Sequence, residues 1–270
     1  AIALGVGLAI LGNYLFAKVE DVKKLYLGTF LLLAPFIVYF LCVADPLFAD
    51  MFKTFGMFGG LVAVSFSSKK PFSLSVAALY NGVGALALSS GMSAILITVT
   101  ALASAGDNIV ASPYLYGGTY NQFRISLRKL GVDCRIAKSE RVEDFEALVD
   151  DKTKMIYVES MGNPTCHVPD LQALGELAKR KDVPFVVDNT FGAAGFLCNP
   201  FDWGANIVVD SATKWINGHG TAMGGIIVDG GNYNWANGKF PQIDGPSEGY
   251  HGLNLYEAFG NAAFIVKCRV

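Results

Sequence analysis

Two short stretches of the chain carry residue types suited to amine–carbonyl chemistry: Asp188-Asn189-Thr190 and Asp210-Ser211-Ala212-Thr213-Lys214-Trp215. Each follows an apolar run of strand character, Pro184 to Val187 before the first and Asn206 to Val209 before the second. Ligands of open α/β sheets sit beyond the carboxyl ends of the strands, so a carboxylate at one strand end and a lysine at another can face one crevice. A partly desolvated amine in such a place is suited to forming a Schiff base with an aldehyde. A carboxylate opposite it can hold a protonated pyridine nitrogen, the pairing that pyridoxal 5'-phosphate (PLP) requires. Taken alone, Lys214 also reads as an ordinary surface lysine after a strand. What else reaches the same edge decides between the two.

Three further segments do. Ser89-Ser90-Gly91-Met92-Ser93 opens a helix, where glycine permits close backbone approach and free N–H groups bind phosphate; small residues also cap helices with no ligand present. Tyr114-Leu115-Tyr116-Gly117-Gly118-Thr119 holds a tyrosine at a glycine turn, which could lay its ring against a flat cofactor, although packing is the commoner outcome. Glu159-Ser160-Met161-Gly162-Asn163-Pro164 brings Asn163 within reach of a ring hydroxyl with Glu159 behind it, although Asn-Pro is an ordinary turn former. The combination is the signal: phosphate loop, aromatic platform, Asn-Pro turn, aspartate and lysine all fall at strand ends of one sheet. The stretch from Gly218 to Gly224 lacks the GxGxxG spacing and opens no βα turn, which excludes a dinucleotide-binding reading.

The elements that must position these residues read clearly from Ser73 onward. Strand-like runs are Gly84–Ser89, Asn108–Ser112, Val132–Ala137, Lys154–Glu159, Pro184–Asp188, Ala205–Asp210 and Gly224–Asp229. Helical periodicity occupies Met92–Ala103, Thr119–Leu130, Val142–Val149 and Asp170–Lys181. The interval from Asp188 to Ala205 is long enough for a crossover but shows no clear helix. This alternation predicts an α/β fold with a mostly parallel seven-stranded sheet covered on both faces. The glycine-rich return from Lys214 is too short for a helical crossover, so the seventh strand is expected to run antiparallel.

Composition narrows the function classes. A net charge of -2 gives no electrostatic footprint for nucleic acid. The cysteines Cys42, Cys134, Cys166, Cys198 and Cys268 are odd in number and unpaired in spacing, which fits a reducing compartment. Three scattered histidines predict no metal site. Residues 1–72 form an apolar leader distinct from residues 73–270. Within it, residues 25–44 are uncharged over a length that spans a bilayer core, residues 1–17 are marginal, and Met51 to Phe66 is weaker still. The lysines between Lys18 and Lys24 place that turn on the cytoplasmic side. Membrane contact through residues 1–66 is therefore expected, with the catalytic part cytoplasmic; a buried core helix is the competing reading of residues 25–44.

From about Val76 to Val270 the chain resembles the Cys/Met-metabolism branch of fold-type I PLP enzymes, most specifically in LSSGMSA, YLYGGTYN, VDNTF, SATKWINGHGTAMGG and PSEGYHG. Within the branch, NGHGT and PSEGYHG are most similar to the sulfhydrylases acting on O-acetylhomoserine. The resemblance implies that Lys214 carries PLP as a Schiff base, that Asp188 pairs with the pyridine nitrogen and that Tyr116 stacks on the ring, which makes Lys214, Tyr116 and Asp188 the catalytic set. It implies that Ser90, Gly91, Met92, Ser211 and Thr213 surround the phosphate and that Asn163 approaches the phenolic oxygen. The implied reaction is γ-replacement on O-acetyl-L-homoserine, in which acetate leaves and sulfide or a thiol adds. γ-Elimination, cystathionine synthesis, and an inactive membrane-tethered remnant are the alternatives. A homo-oligomer is implied too. Three departures stand out. Residues 1–72 contain no arginine and so no Tyr-x-Arg arm; the family's C-terminal domain is not within the sequence; and Asp210 stands where close relatives usually have histidine. An incomplete or rearranged gene product is the expectation these raise.

Overall fold

The computed structural model describes residues 76–77 and 79–270. The expected leader, its candidate spans and the boundary at residue 72 lie outside the described residues. Among the described residues no helix is long and apolar enough to cross a membrane.

Seven strands make one sheet: β1 (Gly84–Leu88), β2 (Asn108–Ala111), β3 (Asp133–Ile136), β4 (Thr153–Glu159), β5 (Phe185–Asp188), β6 (Ile207–Asp210) and β7 (Gly225–Asp229). Their spatial order is β1-β7-β6-β5-β4-β2-β3. The five strands from β6 to β3 are parallel, and β7 runs antiparallel to both β6 and β1. The predicted class and the reversed seventh strand are therefore both found. Strands β2, β6 and β7 are buried at every residue, which is why they read as continuous apolar runs rather than as alternation.

Helix α1 (Gly91–Leu102) starts one residue earlier than its periodicity suggested, because Ser90 caps it: the Ser90 hydroxyl accepts the Ser93 amide. It buries Ala94, Ile95, Thr98, Val99, Ala101 and Leu102 on the sheet. Trimming the fully buried Leu102 to alanine is expected to cost about 2–5 kcal/mol. Helix α2 begins as Gly117–Asn121, passes through a π turn at Gln122–Ser126 and ends as Leu127–Lys129. Helix α3 (Val142–Glu146) is shorter than expected. Helix α4 (Leu171–Lys181) is capped by Asp170, which accepts the Ala173 amide, and carries Lys179, Arg180 and Lys181 in its last turn, where they complement the helix dipole. The interval between β5 and β6 holds two 3₁₀ turns, Thr190–Gly192 and Pro200–Trp203, in agreement with the missing helical period.

Beyond β7, a short hairpin of β8 (Pro246–Ser247) and β9 (Leu253–Asn254) leads into α5 (Leu255–Phe259) and α6 (Ala263–Lys267). This segment joins the same core as α1. Trp235 stacks on Phe264 at 5.4 Å between ring centres and meets Phe240 edge-on at 5.2 Å. Gln242 donates to the carbonyls of Ala101 and Leu102, satisfying orphan acceptors at the end of α1. The core therefore divides into a face under α1, α2 and the C-terminal helices, containing Tyr157, Val186, Ile207, Val209 and Ile227, and a face under α4.

Candidate active site

Side chains alternate across a sheet, so the last residue of each strand belongs to one face only. Asp188 follows Val186 by two positions and points to the α1 face. Register pairs it with Glu159 of β4 on one side and Val209 of β6 on the other. Asp210, one position past Val209, falls on the opposite face. The two aspartates of the strand-end motifs are thereby separated by the sheet itself.

Asp188 is partly exposed and heavily hydrogen-bonded. Its Oδ1 accepts from the Thr190 amide at 3.0 Å and the Thr190 hydroxyl at 2.6 Å, and its Oδ2 accepts from the Tyr157 hydroxyl at 3.1 Å. Burial of the carboxyl raises its pKa against these bonds. The Thr190 hydroxyl also accepts the Ser211 amide at 2.8 Å, which ties the end of β6 to Asp188. Lys214 lies three residues past Ser211 and is exposed; its amide donates to the Ser211 carbonyl, and its side chain makes no hydrogen bond or ion pair among the described residues. Its loop is fastened at Thr213, whose hydroxyl accepts the Gly224 amide at 3.0 Å and donates to the Gly224 carbonyl at 3.2 Å.

The start of α1 reaches the same place. A Cβ on Gly91 would stand 2.8 Å from Ser211 Cβ, and one on Gly225 would collide with the Ser90 carbonyl. Only glycine lets these backbones approach so closely. Ser90 satisfies the amides of Ser93 and Ala94, which leaves those of Gly91 and Met92 outside the helical ladder, with Gly91 against Ser211. Tyr116 sits at the head of α2, 49% exposed, over Gly118 and near Met92.

Glu159 closes the far side. Its Oε1 accepts the Tyr116 amide at 2.6 Å and its Oε2 the Asn163 amide at 3.1 Å. Burial, together with the neighbouring charge of Asp188, pushes it up to about 8. On the opposite face the Tyr80 hydroxyl donates to Asp210 Oδ2 at 2.7 Å and accepts from Asn189 Nδ2 at 3.0 Å. Asp210 Oδ1 is buried without a partner, and burial holds this carboxyl well above the usual range.

All nine sequence-predicted residues, Ser90, Gly91, Met92, Tyr116, Asn163, Asp188, Ser211, Thr213 and Lys214, thus lie along the carboxyl edge of the sheet. Thr190 and Tyr157 were not singled out, although Thr190 lies inside the DNT motif and Tyr157 shares a strand face with Glu159 two residues on. Tyr80 gave no signal, since its partners are 130 and 109 residues away. A cavity of about 680 Å³ opens at the other edge, lined by residues such as Asp182, Trp203, Asn206 and Tyr233. Several of its polar atoms are already committed: Asn206 to the Phe185 amide and Asn232, Asn232 to the Ala205 carbonyl, and Tyr233 to the Asp182 carbonyl.

Free amides at a helix start after β1, an exposed lysine after β6 and a carboxylate fixed at the end of the neighbouring β5 make up a strand-end site of a PLP-type α/β enzyme. The model of the family described as Cys/Met metabolism PLP-dependent enzyme matches residues 68–253, and the chain belongs to that family. It is 53% identical over 196 residues to O-acetyl-L-homoserine sulfhydrylase 1 of Thermus thermophilus, covering 72% of this chain and 47% of that protein. It is likewise 53% identical over 196 residues to a homocysteine/cysteine synthase of Kluyveromyces lactis, covering 72% of this chain and 44% of the relative. A Wolinella succinogenes O-acetylhomoserine sulfhydrylase of solved structure superposes with a TM-score of 0.63 at 32% identity, covering 72% of this chain and 53% of the other. The chain spans about half the length of the curated relatives it matches.

PLP is the cofactor of this family, and the residues present fit it. The α1 amides with the Ser211 hydroxyl suit a phosphate, Asp188 suits a cationic ring nitrogen, and Lys214 suits an aldehyde. Among the described residues no cluster of His, Cys, Asp and Glu is arranged to hold a metal ion.

Proposed function

We propose that this chain carries the cofactor-binding half of an enzyme that replaces the γ-substituent of O-acetyl-L-homoserine with sulfide, giving homocysteine and acetate. The observation that carries this reading is the tie from Asp188 through Thr190 to Ser211, which holds the carboxylate, the phosphate cradle and the lysine loop as one unit. The names of the relatives supply the substrate class. Bound PLP supplies an electron sink for a carbanion at the substrate's α-carbon. Asp188, fixed by three hydrogen bonds, keeps the ring nitrogen protonated. Gly91, Met92 and Ser211 hold the phosphate, and Tyr116 covers one ring face. Asn163 reaches the ring's phenolic oxygen. Lys214 would hold the cofactor's aldehyde through its amine, and the free amine would be placed to move a proton between the α and β carbons of the amino acid.

The partners on this reading are an amino-acid substrate, a sulfide or thiol, and further copies of the chain, since family resemblance implies a homo-oligomer. Free Cys134, Cys166, Cys198 and Cys268 support a reducing, cytoplasmic setting for the catalytic part. Adding PLP should give a visible absorption band from the lysine-bound cofactor that Lys214→Ala abolishes; a colourless wild-type chain in the presence of PLP would sink the reading. Product analysis with O-acetylhomoserine plus sulfide, against cystathionine alone, separates γ-replacement from γ-elimination and cystathionine synthesis.

A further inference from the structure

Glu159 and Asp188 are register partners on one face of the sheet, and Glu159 is only 5% exposed. Both Glu159 oxygens are in use, one on the Tyr116 amide and the other on the Asn163 amide. An ionised carboxylate accepts both bonds, whereas a neutral acid carries a hydrogen on one oxygen and weakens one of them. Those two amides belong to separate loops, after β2 and after β4, and each loop holds a residue assigned above to the cofactor ring. The groups that act on Glu159 are Asp188 from β5, Tyr157 from its own strand, the Tyr116 and Asn163 amides, and Glu140 from the loop after β3, itself faced by His167. No lysine or arginine among the described residues forms an ion pair with Glu159 or Asp188.

We propose that Glu159 is a positioning residue that responds to the charge on Asp188. When Asp188 receives a cation, Glu159 releases its proton to solvent, and both oxygens, already seated on the amides of Tyr116 and Asn163, accept those bonds at full strength, so capture of the cofactor tightens the loops that flank it. This rests on the reading of Asp188 given above. In support, the like charge of Asp188 is the second cause, after burial, that raises Glu159 to about 8. A cation on Asp188 cancels that cause and leaves the two amides to favour the ionised form.

The test is to titrate the chain with PLP over a range of pH below about 8, following the visible band, for wild type, Glu159→Gln and Glu159→Asp. Release of one proton on binding makes affinity climb by up to about tenfold per pH unit. Wild type should show this rise on top of whatever slope Glu159→Gln retains. Glu159→Gln should bind more weakly and lose the extra rise, while Glu159→Asp should bind more weakly and keep it. Calorimetry of wild type and Glu159→Gln in buffers of differing ionisation enthalpy gives a second readout: wild type should release more protons than the variant, and equal release in the two overturns the proposal. Equal pH slopes in wild type and Glu159→Gln would reduce Glu159 to a passive brace. Absence of PLP binding at every pH would instead overturn the cofactor reading, and this inference with it.

Discussion

Asp188 and Asp210 are the same residue type at the ends of neighbouring strands, yet the two sides of the sheet make them different groups. Asp188 is partly open, takes three hydrogen bonds and shares its threonine with the lysine loop. Asp210 is 1% exposed, takes one hydrogen bond from Tyr80 and leaves its other oxygen without a partner. On the proposed reading, a strand-end carboxylate serves as a ligand site where its face is left partly open. When its face is sealed, it becomes an internal brace. The sheet's alternation assigns the roles before any cofactor arrives.

Substitutions at four positions test that contrast. The largest effect is expected from Asp188→Asn, which removes a charge-assisted hydrogen bond worth about 1.5–3 kcal/mol and should weaken PLP binding by roughly ten- to a hundredfold. Asp210→Asn should leave PLP affinity near that of the wild type, and an equal loss in both variants would break the comparison. Next comes Tyr80→Phe, which strands Asp210 and deprives Asn189 of a partner. The expected cost is about 1–3 kcal/mol of stability, read from the denaturant midpoint, with the visible band of bound PLP unmoved. The smallest is Thr190→Val, which cuts the tie between Asp188 and Ser211. PLP affinity should fall by the equivalent of about 0.5–1.5 kcal/mol, while Thr190→Ser, which keeps the hydroxyl, should restore it.

How much of this was legible in the sequence follows from the range of each interaction. The strands were, because a strand buried on both faces must be apolar throughout, as in Ile207–Val208–Val209 and Ile226–Ile227–Val228. The candidate site was, because its residues sit in loops directly after those strands. What spacing could not show was which aspartate faces the crevice, since that depends on register between β4, β5 and β6. The Tyr80 brace was invisible for the same reason, as it joins distant segments. Local backbone exceptions were hidden too: Ala193 and Ala194 both have positive φ, 51° and 57°, in a loop whose sequence announces no such turn.

Strand order has a further consequence. Because β7 runs backwards between β1 and β6, the helix start at Gly91 meets Ser211 only after the last strand has docked between strands from opposite ends of the described chain. The anion cradle therefore exists only in the completed sheet, and a half-formed sheet has none. Uptake of PLP should report a finished fold, and a nascent chain released before Gly225 would be blind to the cofactor however well its earlier strands had paired.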